Sequence, residues 1–393
     1  MKLLDRIALV IIIALTFPIL ISWYCEGWTT RLTSPAYTEA DIPELNGKVA
    51  MVTGATSGIG RASVAILYKK GATVIATARS VQKAQNSTRE TINEFNTTTS
   101  IVGKRTGFVY SEGKTELVKF EKERFVNMLL DLSSFESIHR FAKAFRAKGL
   151  KLDILILNAG MMHPEYATTV DGFESHFGIN YLGHFLLVKL LLPVLLESNT
   201  RIVIMTSSSH HSSYMPEGIR FNQLDNQIDY DYTAAYAQSK LALLCFGYRL
   251  ADELKSLRDL ISDPKDAINS DAQIMDGSGP GGSQRRREPG VTVNMVHPGL
   301  VKTNLRSIMY EYYQNHWFYQ FLGFFFTAVD KAAMTPKQAA LTPVSSICTI
   351  TITALHSFHR IVFHTLYIFA CFVAFCCDIA THSLPLWCVF YTY

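Results

Sequence analysis

The sequence predicts an α/β fold: one domain built on a doubly wound parallel sheet, preceded by an apolar, membrane-type segment. Three observations predict it. Short apolar runs alternate with longer segments of helical periodicity, the pattern of parallel strands joined by crossover helices. A glycine-rich turn joins the first run to the first helical segment. Late in the chain Tyr236 and Lys240 stand four apart in a helical segment, a spacing that puts both on one face.

Lys48-Val-Ala-Met-Val-Thr53 reads as the opening strand, apolar throughout as a strand buried on both faces must be. The glycines follow, then a helix over about 61–70 that Gly71 ends. Residues 72–78 form the second strand and complete a βαβ unit. Residues 82–123 are rich in Thr, Ser, Asn and Lys and read as an insertion, helical in its first half and looped in the rest. A third strand over 125–130, an amphipathic helix over 134–148 and a fourth strand over 152–157 follow. Next come a long apolar helix over 173–197, a fifth strand over 201–206 and the helix of Tyr236 and Lys240 over 233–254. Residues 263–288 have the Asp, Ser, Gly, Pro and Arg of a linker, in which the Arg285-Arg286-Arg287 run is a solvated loop. The sixth strand spans 291–296. Two later segments are each open to two readings. The aromatic stretch 317–326 is a core helix or an apolar lip over a substrate site, and 361–377 is a slightly short membrane helix or a buried core helix.

A hydrophobic fraction of 48% supports a substantial core, and the net charge of +4 is mild. No array of Lys and Arg interleaved with aromatics points to nucleic acid. The seven cysteines include no Cys-x-x-Cys pair and crowd toward the end of the chain, so neither a metal site nor a disulfide framework is expected. Residues 7–24 are uncharged and mostly apolar, with Lys2 and Arg6 before them. A signal peptide and a membrane anchor both fit. Trp23, Tyr24 and Trp28 stand where cleavage wants small residues, so the expectation is a retained anchor over 1–28, with Pro18 leaving a hairpin or interfacial segment open. The flanking charge argues for a lumenal body, although Asp5 weakens it, and only there are Asn86 and Asn96 glycan acceptors.

A free tyrosine titrates near pH 10, and bringing it to neutrality costs about 4 kcal/mol, which a neighbouring ammonium helps to supply. Tyr236 with Lys240 is therefore a candidate acid and base for an alcohol oxygen. In Thr53-Gly-Ala-Thr-Ser-Gly-Ile-Gly60, Gly54 permits a tight turn, and Gly58 and Gly60, with Ser57 and Ile59 between and beside them, let backbone amides approach a pyrophosphate. The spacing is Gly-x-x-x-Gly-x-Gly. At the end of the second strand stands Thr77-Ala-Arg79, with no carboxylate for an adenosine ribose and an Arg suited to a 2′-phosphate. NADP(H) is preferred on that ground, and NAD(H) stays open.

Together these residues resemble the short-chain dehydrogenase/reductase family over about 46–344, which implies a Rossmann fold. The pieces fall in the family's order: the 53–60 turn, Asp131-Leu132, Asn158-Ala-Gly160, Asn180, Ser207, Tyr236-x-x-x-Lys240 and Pro298-Gly299. The texture of 176–185 resembles the retinol-dehydrogenase-like branch. Residues 235–242 resemble its X-linked dehydrogenase/reductase subgroup, for which the resemblance implies polyprenols and dolichols. The resemblance implies roles. Tyr236 exchanges the proton, Lys240 lowers its pKa and holds the nicotinamide ribose, and Ser207 bonds the substrate oxygen. The register within Ser207-Ser208-Ser209 stays open. Asn180 positions a water leading to Lys240. Asp131 and Leu132 flank the adenine, and Asn158, Ala159 and Gly160 line the ribose side. Pro298 and Thr303 serve the carboxamide end. The implied partners are an apolar alcohol or carbonyl (retinoid, steroid or polyprenol), the membrane and a second copy of the chain. The implied location is the endoplasmic reticulum membrane, on a side left open. Residues 345–393 do not resemble the family's continuation, which keeps a second reading alive: a nucleotide-binding protein without catalysis.

Overall fold

The computed structural model describes residues 38–104, 122–214, 216–224, 227, 228, 230–261, 290–299, 301 and 334–345. Among them six strands alternate with helices: β1 (Val49–Val52), α1 (Gly58–Lys69), β2 (Thr73–Ala78), α2 (Val81–Lys104), β3 (Phe125–Leu129), α3 (Phe135–Arg146) and β4 (Ile154–Leu157). Then come a π-helical turn (Phe177–Leu182), α4 (Gly183–Ser198), β5 (Arg201–Met205), α5 (Tyr232–Ile261), β6 (Thr292–Val296) and α6 (Pro336–Ser345). The strands form one sheet in the order β3-β2-β1-β4-β5-β6, with every pairing parallel. This is the doubly wound sheet that the alternation predicts.

Successive strand residues point to opposite faces, and each face has its own core. Ala50, Val52, Ile154 and Ile156 join Val64, Leu67 and Tyr68 of α1 and Ala340 and Val344 of α6. Met51, Leu155 and Leu157 join Ile138, Phe141 and Phe145 of α3, Leu187, Leu191 and Leu195 of α4, and Leu243 of α5. Each Val, Leu, Ile, Met or Phe side chain among these, fully buried, is worth about 1.5–3 kcal/mol. The strands are apolar throughout because both faces are covered.

Caps set the helix ends. The Ser134 hydroxyl accepts from the Ser137 amide at 3.2 Å, and an Asp171 carboxylate oxygen accepts from Phe135 N at 2.8 Å, which fixes the start of α3. At the end of α1, Gly71 takes φ +91°, and a Cβ there would lie 2.0 Å from Asn46 Oδ1.

Two elements differ from the sequence expectation. The apolar helix does not run unbroken over 173–197. Residues 169–173 make a tight turn through Gly172 (φ +87°), and one π-helical turn precedes α4. The helical part of the insertion extends to Lys104, and α2 lies beside the glycine turn: Ser87 Oγ donates to Ala55 O at 3.3 Å, and Glu90 pairs with Arg61. Among the described residues one helix, Phe177–Ser198, is long and apolar enough to cross a membrane, but its Leu187, Val188, Leu191 and Leu195 are buried against the sheet. It is a core helix. The expected anchor over 1–28, the 105–121 part of the insertion, the linker, the 317–326 segment and the tail lie outside the described residues.

Strand order reverses between β1 and β4, neighbours whose next connections run to opposite sides of the sheet. The crevice beyond their carboxyl ends is where an open α/β sheet takes its ligand. Thr53 and Asn158 stand there, one residue past β1 and β4.

Candidate active site

The glycine turn is built against chain as well as open to ligand. Gly54 and Gly58 take φ of +64° and +54°. A Cβ on Gly54 would lie 2.8 Å from Ala159 Cα, and one on Gly60 would lie 2.3 Å from Gly54 O and 2.5 Å from Asn158 Nδ2. Asn158 Nδ2 donates to Thr53 O at 2.9 Å, and the Thr53 hydroxyl accepts from the amides of Asn158 (2.8 Å) and Ala159 (2.9 Å). Asn158 and Ala159, expected along the cofactor ribose, thus buttress the turn. Ser57 begins α1 without a side-chain cap bond, so no hydroxyl competes for the first-turn amides. A dinucleotide pyrophosphate fits that helix end. Ile59 is partly buried against the core, and Arg79 is exposed just past β2.

The adenine end is less simple than expected. The Asp131 carboxylate is engaged locally, accepting from Ser133 N at 2.9 Å and Ser133 Oγ at 2.7 Å. The Leu132 side chain lies in the core, and its carbonyl would be 2.6 Å from a Cβ on Gly183. Pro298 is half-buried past β6, beside Gly299 at φ +78°, and Thr303 lies outside the described residues.

Asn180, Ser207, Tyr236 and Lys240 are brought together from the π-helical turn, the loop after β5 and α5. Asn180 is fully buried. Its Oδ1 accepts from Met161 N at 2.8 Å, and its Nδ2 donates to Met161 O at 3.1 Å and Ser239 Oγ at 2.9 Å. A Cβ on Gly160 would sit 3.4 Å from Asn180 Oδ1 and 3.5 Å from Lys240 Nζ, so Gly160 marks where the two side chains meet. Of the three consecutive serines, Ser207 is the one whose hydroxyl lies near enough to the Tyr236 phenol to draw its pKa down. It also accepts from Ser209 N at 3.2 Å.

The electrostatics run against the expected lowering of the tyrosine pKa. Burial pushes the Tyr236 phenol up to about 12, and the nearby Ser207 hydroxyl offsets only part of that. Lys240 Nζ sits 5.8 Å from the Tyr236 ring centre and donates to Met205 O at 3.0 Å. Burial lowers its pKa to about 8. Desolvation disfavours both charged forms. At pH 7 the phenol keeps its proton and the amine is mostly charged, a pairing suited to proton donation.

Several residues near these four carry no motif of their own. Glu174 and His176 are buried, with Nδ1 of His176 donating to Glu174 Oε1 at 2.7 Å and His163 N donating to Nε2 at 3.0 Å. Tyr230 Oη lies 3.1 Å from Glu174 Oε1 and 2.8 Å from His176 Nδ1, and the His176 ring meets Tyr236 edge-on at 6.2 Å. His184 is also buried and bonds to Thr53 and to the Asn180 carbonyl. One sequence signal was available for both histidines: His176, Asn180 and His184 recur every four residues on one helical face.

Glu174 and His184 contribute to the acid sensitivity of the fold. Burial raises the Glu174 pKa, but bonds from His176 and two amides outweigh it and hold the carboxyl below 4.5. Its stabilisation is present above the unfolded pKa and lost as pH falls through the folded one. Burial lowers His184 from 6.5 to about 4. Between those values the unfolded chain binds more protons, so stability falls as pH drops from 6.5 toward 4, by about 3 kcal/mol. Melting followed from pH 7 to 4 is expected to show a declining midpoint, and His184→Gln is expected to flatten it. An equal slope in both proteins would refute the assignment.

The short chain dehydrogenase family model matches residues 48–106 and 101–219. A polyprenol dehydrogenase of Danio rerio is 34% identical over 280 residues, covering 70% of this chain and 68% of that one. Retinol dehydrogenase 11 of Homo sapiens is 34% identical over 303 residues, covering 76% and 74%. The polyprenol dehydrogenase of Homo sapiens is 32% identical over 313 residues, covering 78% and 76%.

Proposed function

The chain belongs to the short-chain dehydrogenase/reductase family and is an oxidoreductase, and from that premise we propose that it moves a hydride between NADP(H) and an apolar alcohol or carbonyl at a membrane. The single observation that carries this reading is the convergence of Tyr236, Ser207, Asn180 and Lys240 beside the glycine-turn crevice. When bound, the nicotinamide supplies or accepts the hydride. The chain's own residues manage the proton and the fit.

In this reading Ser207 and Tyr236 hold the substrate oxygen between them. Tyr236 donates the proton as a carbonyl is reduced and takes it back in oxidation. Lys240 lends positive charge to the phenolate that reduction leaves and that oxidation needs as its base. Asn180, pinned at both ends of its amide, keeps Gly160 and Lys240 in register. Met162, Tyr232 and Tyr230 pack around Tyr236 and give that wall an apolar face. Together with the names of the relatives, this supports a retinoid, steroid or polyprenol substrate. The catalytic domain spans about 46–344, with residues 1–28 as its membrane anchor. Tyr181 of the π-helical turn, Phe185 of α4 and Phe246 of α5 form an aromatic ladder, with Phe185 39% exposed, and it favours pairing of two copies through these helices.

A panel of retinal, steroid ketones and polyprenal, offered with NADPH and NADH to membranes holding the intact chain, tests the activity. A chain that binds NADPH yet turns over none of them would be the non-catalytic protein of the second reading. Cofactor choice has its own test. A charge-assisted bond is worth about 1.5–3 kcal/mol, so Arg79→Glu is expected to raise the KM for NADPH about ten- to hundredfold and leave NADH little changed. Equal effects on both cofactors would remove Arg79 from the site.

A further inference from the structure

His184 joins two parts of the site that the sequence keeps far apart. Thr53 directly follows the first strand, and His184 lies 131 residues later in α4. The Thr53 hydroxyl has one hydrogen and two lone pairs. Both lone pairs are used by the amides of Asn158 and Ala159. Its hydrogen has two acceptors in reach: His184 Nε2 at 3.0 Å and Ile156 O at 3.4 Å. The Ile156 carbonyl already accepts the Thr53 amide at 2.9 Å, so the shorter bond to His184 is the better one. Nε2 is then a bare acceptor, and Nδ1 carries the hydrogen that it donates to Asn180 O at 2.9 Å. A doubly protonated ring would aim Nε2–H at a hydroxyl with no lone pair left. Geometry alone fixes both the charge and the tautomer.

The other end of the link is the Asn180 backbone. It sits in the π-helical turn, where the Gly183 amide reaches back to Gly178 O. The Asn180 side chain is bound to the Met161 peptide and to Ser239, the neighbour of Lys240. A continuous path therefore runs from the glycine turn through Thr53 and His184 to Asn180, and on to the segment bearing Lys240.

We infer that His184 is a positioning residue for the reaction: a neutral strut that sets the Asn180 backbone against the nucleotide turn. The inference rests on the dehydrogenase reading above. His184 touches neither substrate nor cofactor, and acts by holding Asn180 where Gly160 and Lys240 meet it. The glycine turn keeps its bonds from Asn158 when the strut is lost, so cofactor affinity should survive while turnover falls. A misplacement of about 1 Å can cost about a hundredfold in rate.

The test compares apolar variants, His184→Leu and His184→Met, with His184→Gln, whose planar amide keeps one donor and one acceptor. The full chain is assayed in membranes on whichever panel substrate the wild type reduces. NADPH affinity is measured separately by protein-fluorescence titration. The apolar variants are expected to lose about ten- to hundredfold in kcat with NADPH affinity within about threefold of wild type, and Gln to recover kcat to within about threefold. Apolar variants within twofold of wild type would overturn the inference, as would a Gln variant no better than Leu or NADPH affinity falling in step with kcat. If neither apolar variant folds while Gln does, the role is structural and the inference falls. A wild type without turnover on the whole panel removes the dehydrogenase reading itself, and this inference with it, a result distinct from all the others.

Discussion

Tyr236→Phe is expected to lower kcat about 10²- to 10⁴-fold, the range that a positioned general acid supplies, while NADPH still binds. The substitution removes one oxygen from a side chain that is 7% exposed and leaves the ring's shape. It removes the phenol oxygen from beside Ser207 and leaves that hydroxyl its partners in Ser209. The edge-on contact with His176 needs only the ring and should persist. Folding should therefore change little, and the loss should appear in the chemical step. A variant with kcat within threefold of wild type would show that another group handles the proton. Tyr230 would be the first to examine, since its hydroxyl lies nearby, although bonded to Glu174.

Gly60→Ala is expected to have the second large effect, on both stability and cofactor binding. Its Cβ would meet the Gly54 carbonyl oxygen at 2.3 Å and Asn158 Nδ2 at 2.5 Å. The first is backbone, in a turn whose Gly54 already takes φ +64°. The second is the amide that pins the turn to Thr53 O. Neither neighbour is the free end of a flexible side chain, so the turn itself must move. Overpacking of this kind costs about 1–3 kcal/mol. Displacing first-turn amides by a few tenths of an ångström weakens several pyrophosphate bonds together, so NADPH affinity is expected to fall at least about tenfold, equivalent to about 1.4 kcal/mol. Urea unfolding and fluorescence titration with NADPH read the two losses. Normal stability and normal affinity together would mean that the turn yields freely.

The sheet was legible because its signals are local. Each strand is a short apolar run closed by polar or glycine residues, and the observed strands fall within two residues of those expected. Apolar periodicity persists across the π-helical turn, so the pattern over 173–197 does not mark the break. Leu132 and Asn158 are site-motif residues by position, yet one packs in the core and the other braces the turn. A motif records where a residue stands along the chain and not which neighbour occupies its side chain.

By itself the sequence determined the parallel sheet, the glycine turn at the switch point and the Tyr236–Lys240 pair on one helical face. Each follows from the order and spacing of residues close together along the chain. Only the tertiary structure decided that burial holds the phenol protonated, that Lys240 leans on Met205 O, and that His184 ties Thr53 to Asn180. Those outcomes depend on which groups lose water together. Side chains up to 131 residues apart in sequence are buried together, and the cost of desolvation there is a property of the packed site.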